Sequence, residues 1–146
     1  MIPRIGEPVR HDIGYRPRPG VYAILERAGQ VLVTFQSEPN PEVQLPGGGI
    51  DPGESPIFAL HREVREETGW AISGVRRLGA FRRFTYMVEY DLWAEKICQV
   101  YLARPTLRLS EPTDVGHVPI WTSPDRAAAM VENDGDRLFL TRYFRL

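Results

Sequence analysis

The stretch GGIDPGESPIFALHREVREETGW, from Gly48 to Trp70, constrains this chain more than any other part of it. Ser55 is a good N-cap, and Pro56 follows at the first helical position, where a missing N–H removes nothing the helix could use. Gly69 stands where a left-handed C′ residue would end the helix. At about 100° per residue, Ile57, Leu60 and Val64 line up as an apolar stripe, while Glu63, Glu66 and Glu67 gather in a neighbouring arc of about 100°. Such a helix must lie with its stripe against a core and its acidic arc at the border.

That arc is locally unfavourable. Glu63 meets like charges at i+3 and i+4, each pair costing roughly 0.2–0.5 kcal/mol on an exposed helix. Glu66 and Glu67 also occupy the last turn, where the helix dipole favours cations. Arg62, four residues before Glu66, offers the one obvious relief. A bound divalent cation would reverse the sign of these terms, and hard carboxylate oxygens suit Mg²⁺ or Mn²⁺. The plainer reading is a solvated acidic face. The loop in front weighs against it, because Gly47, Gly48 and Gly49 allow close backbone approach and a helix N-terminus just beyond them favours anions.

Bulk properties narrow the field. At 146 residues, with 42% hydrophobic and 25% charged residues, the chain suits one globular domain over 1–146 with a sizeable core. Its formal charge of −1 argues against a general nucleic-acid binder or a membrane-surface protein. Cys98 is the only cysteine, which leaves no intrachain disulfide and fits a small buried hydrophobe in a strand. The N-terminal residues carry no apolar core of a signal peptide, and no stretch approaches membrane-spanning length, so a cytoplasmic location is expected.

Along the chain, residues 1–19 are proline-rich and read as an irregular arm or edge segment. Val21 to Arg27 and Gln30 to Gln36 form a hairpin about Ala28-Gly29. Ser37 to Pro41 is a loop by composition. Beyond the helix, Ile72 to Phe81, Arg82 to Tyr90 and Lys96 to Ala103 read as strands, the last stopping before Pro105. Ser110 to Pro119 is polar and turn-rich, and Ile120-Trp121 is a short strand or a helix lead-in. Ser123-Pro124-Asp125 opens a helix through Glu132, Asn133-Asp134-Gly135 breaks it, and Asp136 to Tyr143 closes the chain as a short helix. Strands flanked by helical segments predict an α/β protein with a mixed sheet between helices.

The spacing of Gly48, Glu54, Arg62, Glu63, Val64, Glu66, Glu67, Gly69 and Trp70 resembles the Nudix box, and Leu45-Pro46-Gly47-Gly48 resembles its usual lead-in. Trp70 stands where the family has an aliphatic residue; being apolar, it is expected to pack. The resemblance implies an α/β/α sandwich of the MutT-like type. It further implies a hydrolase that uses water to cleave a pyrophosphate bond in a nucleoside diphosphate linked to another group. In this chain Glu63, Glu66 and Glu67, with the backbone carbonyl near Gly48, would hold Mg²⁺ or Mn²⁺. Arg62 and Glu54 would act as supports, Arg62 pairing with a box carboxylate and Glu54 tying loop to helix. Candidates for the general base are Glu63, Glu111, Asp114 and His117.

The substrate is less constrained. A (d)NTP, an oxidised nucleotide or a dinucleoside polyphosphate all fit the resemblance. Gly47, Tyr86 and Arg82 are candidate substrate contacts, Tyr86 lying 16 residues past Trp70, where relatives that cleave dinucleoside polyphosphates often carry tyrosine, and Arg76, Arg77 and Arg83 could meet distal phosphates as Arg82 could. Core packing is the alternative for Tyr86. Two other functions stay open, a weakly active nucleotide-sensing module and an RNA 5′-end pyrophosphohydrolase, while an isomerase on this fold would call for cysteine and histidine ligands that one cysteine and three histidines hardly supply. A homodimer sharing the N-terminal arm is also compatible with the sequence.

Overall fold

A computed structural model describes residues 1–146. Its seven strands are β1 (Arg16–Arg27), β2 (Gln30–Gln36), β3 (Glu42–Gln44), β4 (Gly47–Gly49), β5 (Trp70–Met87), β6 (Leu92–Arg108) and β7 (His117–Thr122). The helices are α1 (Pro56–Thr68), α2 (Pro124–Met130) and α3 (Asp134–Phe144), with a 3₁₀ turn at Val88–Tyr90. β1 runs parallel to β6, and all the other pairings are antiparallel, so the sheet is mixed.

Alternation along β1 divides the core in two. Tyr22 and Ile24 point to one face with Val31, Val33, Phe81, Cys98 and Val100, where α2 and α3 cover them through Ala127, Ala128 and Leu140. Val21, Ala23 and Leu25 point to the other with Leu32, Tyr101 and Ala103, beneath Ala59, Leu60 and Val64 of α1. Helix layers on both faces make this an α/β/α sandwich with a mixed sheet, as expected.

The hairpin between β1 and β2 forms with Ala28 and Gly29 both at positive φ, the geometry of a type I′ turn. Only Glu26↔Val31 and Arg27↔Gln30 pair before the two strands part. β1 then carries β4 on that side, while β2 takes β3 and β7. This parting opens the sheet next to Gly47–Gly49.

Several boundaries differ from expectation for identifiable reasons. Residues 16–19 belong to β1, not to an irregular arm. Pro19 is tolerated because its carbonyl accepts from Ile50 on the side away from β6, so its missing N–H also faces away from the parallel ladder. The two strands expected between Ile72 and Tyr90 are one, β5, which absorbs its glycines at register shifts between Ser73/Arg76 and Arg77/Gly79. β6 runs through Pro105, which sits beside the shift between Ala71 and Ile72. The short strand expected at Ile120-Trp121 begins at His117. Helix α2 ends at Met130, and Asn133, read as a breaker, caps α3 by accepting from Gly135 N and Asp136 N.

Candidate active site

The capping signals of α1 are realised in full. Ser55 accepts from Phe58 N, Pro56 opens the helix, and Gly69 closes it at φ 80°. The buried face is rotated from the expected one. Leu60 and Val64 are buried, but Ile57, in the first turn, stays exposed, and Glu67 joins the buried face at 4% exposure. Glu67 follows Leu60 by seven residues and Val64 by three, so its carboxylate lies inside the stripe and not beside it. The reading of all three glutamates as a solvated face therefore fails at Glu67.

Glu67 Oε1 accepts from Gly47 N at 3.1 Å. Burial, followed in strength by the relief from that N–H and then by repulsion from Glu63, Asp114 and Glu66, holds its carboxyl well above the usual range. Glu63 is also pushed up by burial, against the pull of Arg62. The Gly47–Gly48 backbone fits over these groups only because it lacks side chains. A Cβ on Gly47 would stand 2.0 Å from Val21 O, and one on Gly48 would stand 2.5 Å from the Glu63 carboxylate.

Arg62 organises the arc from the solvent side. Its Nε meets Glu54 Oε2 at 2.6 Å, Nη1 reaches Glu63 Oε1 at 3.0 Å and Glu66 Oε2 at 3.2 Å, and Nη2 donates to Gly49 O at 3.1 Å. Glu54 also accepts from Asp51 N at 2.9 Å, which closes the loop onto the helix. The guanidinium holds Glu54 well below its usual range.

The polar loop arrives from above. Thr113 N and Asp114 N both donate to Glu66 O at 2.9 Å, and Leu109 N donates to Gly69 O at 2.8 Å. His117 Nε2 then lies 3.6 Å from Glu67 Oε2 and 3.5 Å from Asp114 Oδ2. Burial lowers the imidazole more than Asp114 raises it, so His117 and Glu67 are both driven toward their neutral forms. Ligand atoms of Glu67, Asp114 and His117 lie within 4.8 Å of one another. Glu111 is not part of this group: its carboxylate is out in solvent, 2.5 Å from Arg108 Nη2.

An excess of crowded, partly desolvated carboxylate with one imidazole is the donor set of a hard or borderline divalent cation. The like charges that raise Glu63 and Glu67 are those a cation would relieve. On this test the residues present fit a divalent metal.

A cleft of about 260 Å³ opens beside the group, reached by Gly47, Gly48 and Glu67 at one end and by Tyr86 and Tyr90 at the other. Tyr86 is not core. It is 40% exposed, its ring 5.2 Å from that of Trp93 and its hydroxyl bonded to Asp91. Arg82 does not reach the cleft. It holds the N-terminal arm, donating to Ile2 O at 3.0 Å, and pairs with Glu95. The next residue, Arg83, lines the cleft instead, because neighbours on a strand face opposite sides. Arg83 is gripped by Glu7 at 3.0 Å and faces Glu42 at 3.9 Å. The arm packs on its own chain, with Arg4 bridged to Arg82. Trp70 packs as expected, edge-on to Trp121 at 5.5 Å.

Comparison with known proteins identifies this architecture. Residues 14–143 match the family model described as the NUDIX domain. The chain belongs to the Nudix family. Among curated relatives, the RNA pyrophosphohydrolase of Photorhabdus laumondii is 44% identical over 73 residues, which are 50% of this chain and 40% of that protein. The match thus spans less than half the length of that relative. A Nudix hydrolase structure from Nitrosomonas europaea aligns with TM-score 0.72 at 22% identity, covering 89% of this chain and 90% of the other. A putative Nudix hydrolase family member from Chromobacterium violaceum aligns at 0.62 with 28% identity over 91% and 80%. No helix of this Nudix chain is long and apolar enough to cross a membrane.

Proposed function

We propose that residues 1–146 act as one hydrolase domain that uses a divalent cation to cleave a pyrophosphate bond in a nucleoside diphosphate joined to a further group. The observation that carries this reading is the buried Glu67, bonded to Gly47 N and crowded by Glu63 and Asp114, at one end of a cleft of about 260 Å³. Glu63, Glu66 and Glu67 would hold Mg²⁺ or Mn²⁺, which supplies charge neutralisation at the pyrophosphate and a more acidic water. Arg62 holds Glu63 and Glu66 together with Glu54, while Gly47 N holds Glu67. The proton of the attacking water has two receivers near the ligands, Glu63 and the Asp114–His117 pair. Tyr86 offers a flat wall for a base, and Arg83 and Lys96 offer charge for phosphates within the same cleft.

A second reading, hydrolysis at a triphosphorylated RNA 5′ end, is favoured by relatives that are RNA pyrophosphohydrolases and by the cleft's exposed tyrosine rim. The test is release of phosphate or pyrophosphate with Mg²⁺ and with Mn²⁺ from (d)NTPs, oxidised dNTPs, ADP-ribose, dinucleoside polyphosphates and 5′-triphosphate RNA. Metal-dependent turnover of one class supports the hydrolase and chooses between the readings. Silence across the panel, with nucleotide binding intact, would turn the assignment toward a sensing module.

A further inference from the structure

Asp136 is the one fully buried carboxylate on the opposite helix layer, 2% exposed, and the expected chemistry gives it no task. It occupies the third position of α3, where Asn133 caps the helix and the N-terminal dipole favours an anion. Gly135 lets this turn press against the sheet, since a Cβ there would stand 2.3 Å from the Phe81 ring. Asp136 Oδ2 accepts from Leu45 N at 3.1 Å. Two residues later, Gly47 N donates to Glu67. Between them Pro46 has a fixed φ, and its carbonyl accepts from Ala23 N at 3.0 Å.

The segment Leu45–Pro46–Gly47 is therefore held on one side by β1 and on the other by two buried carboxylates, one from each helix layer. The segment has no soft joint to take up a displacement. Pro46 cannot rotate about φ, and Gly47 is packed against Val21 O too closely for any side chain.

We propose that Asp136 is a positioning residue for the catalytic centre, fixing through Leu45 and Pro46 the Gly47 N–H that orients Glu67 and the Gly48 backbone that lies over Glu63. The inference rests on the hydrolase reading for its activity readout only. The charged groups near Asp136 are Lys96, Glu42 and Arg83, and burial outweighs the Leu45 N–H and both cations, raising its carboxyl to about 6. Loss of the Leu45 bond leaves both a buried N–H and a segment free to drift toward the opened sheet.

The experiment compares wild type with Asp136→Asn, which keeps an oxygen acceptor but not the charge, and with Asp136→Val, which keeps the shape but not the acceptor. Amide exchange at Leu45 and Gly47, Mn²⁺ affinity by calorimetry, and kcat and KM on the best substrate of the panel are read for each. Faster exchange at both amides and weaker Mn²⁺ binding are expected, with kcat falling severalfold in Asn and about tenfold or more in Val at nearly constant KM, since a misplacement of 1 Å can cost about 100-fold. Faster exchange at Leu45 alone, with Gly47, Mn²⁺ affinity and kcat unchanged, overturns the proposal. Should Val fail to fold, Asn decides by the same criteria. If wild type turns over nothing, the hydrolase reading fails, and the Gly47 exchange and Mn²⁺ affinity of the variants still decide for or against the positioning role.

Discussion

Glu67 and Asp136 are both buried carboxylates that accept a backbone N–H from the same three-residue segment, yet their surroundings are opposite. Glu67 is surrounded by Glu63, Glu66 and Asp114, beside an imidazole that burial holds below its usual range. Asp136 has Lys96 and Arg83 nearby and a helix N-terminus beneath it. One region is left short of positive charge, and the other is close to balanced. The difference separates a place whose charge suits a cation from a place that holds backbone, although burial raises both groups.

The strongest way to break the comparison is Glu67→Gln. The amide still accepts from Gly47 N, so the fold should persist, with a melting temperature equal to or above wild type without metal. Metal-dependent turnover should fall by about 10³-fold or more, as expected when a charge acting on the reacting centre is removed. Turnover within tenfold of wild type would remove Glu67 from the ligand set.

The two adjacent glycines sharpen the same contrast. Gly47→Ala drives a Cβ into backbone and should destabilise by several kcal/mol or prevent folding, a strained overpacked site of the costly kind. Gly48→Ala meets only the end of the Glu63 side chain, so the melting temperature should change little while turnover drops about 100-fold through displaced carboxylate. Equal effects of the two substitutions on stability would contradict this division.

Arg62→Lys tests whether the acidic region is held by shape or by charge alone. One ammonium cannot bridge Glu54, Glu63, Glu66 and Gly49 O together, so kcat should fall about tenfold to 100-fold with the fold retained. A lysine variant with wild-type kcat would show that charge alone suffices.

Asp136 supplies the pH test. Its folded-state carboxyl is raised to about 6 from an ordinary 3.8, so proton uptake favours the folded state. The group's contribution is fully present below about 4 and is lost as pH rises through about 6, amounting to roughly 2–3 kcal/mol at about 1.4 kcal/mol per unit. Relative to wild type, Asp136→Asn should therefore gain stability between pH 4 and pH 7 in denaturant titrations; a constant difference across that range would mean Asp136 titrates normally. The smallest effect is expected at Glu111→Gln, where kcat should stay within twofold because the side chain faces solvent beside Arg108.

Features governed by neighbours in sequence were legible from it. The caps of α1, the hairpin at Ala28-Gly29 and the pairing of Arg62 with Glu66 one turn on all follow from local rules. Features decided across the fold were not. Choosing Arg83 over Arg82 as the cleft residue requires the phase of β5, which its register shifts scramble. The burial of Glu67 was visible in its spacing from Leu60 and Val64, but a carboxylate inside an apolar stripe runs against ordinary expectation. The part played by Asp136 depends on a residue 91 positions away, and only the unusual Asn-Asp-Gly-Asp start of α3 hinted at it.

The loop carrying Asp114 and His117 hangs from the end of α1 itself, through the carbonyls of Glu66 and Gly69. Glu67 and Asp114 consequently ride with α1, while His117 opens β7 and is paired to Gln36 of β2. Rocking of the helix against the sheet would therefore change the distances from His117 to Glu67 and Asp114, while Glu67 and Asp114 moved together. The imidazole on the sheet is thus a fixed gauge against which the helix-borne carboxylates are set.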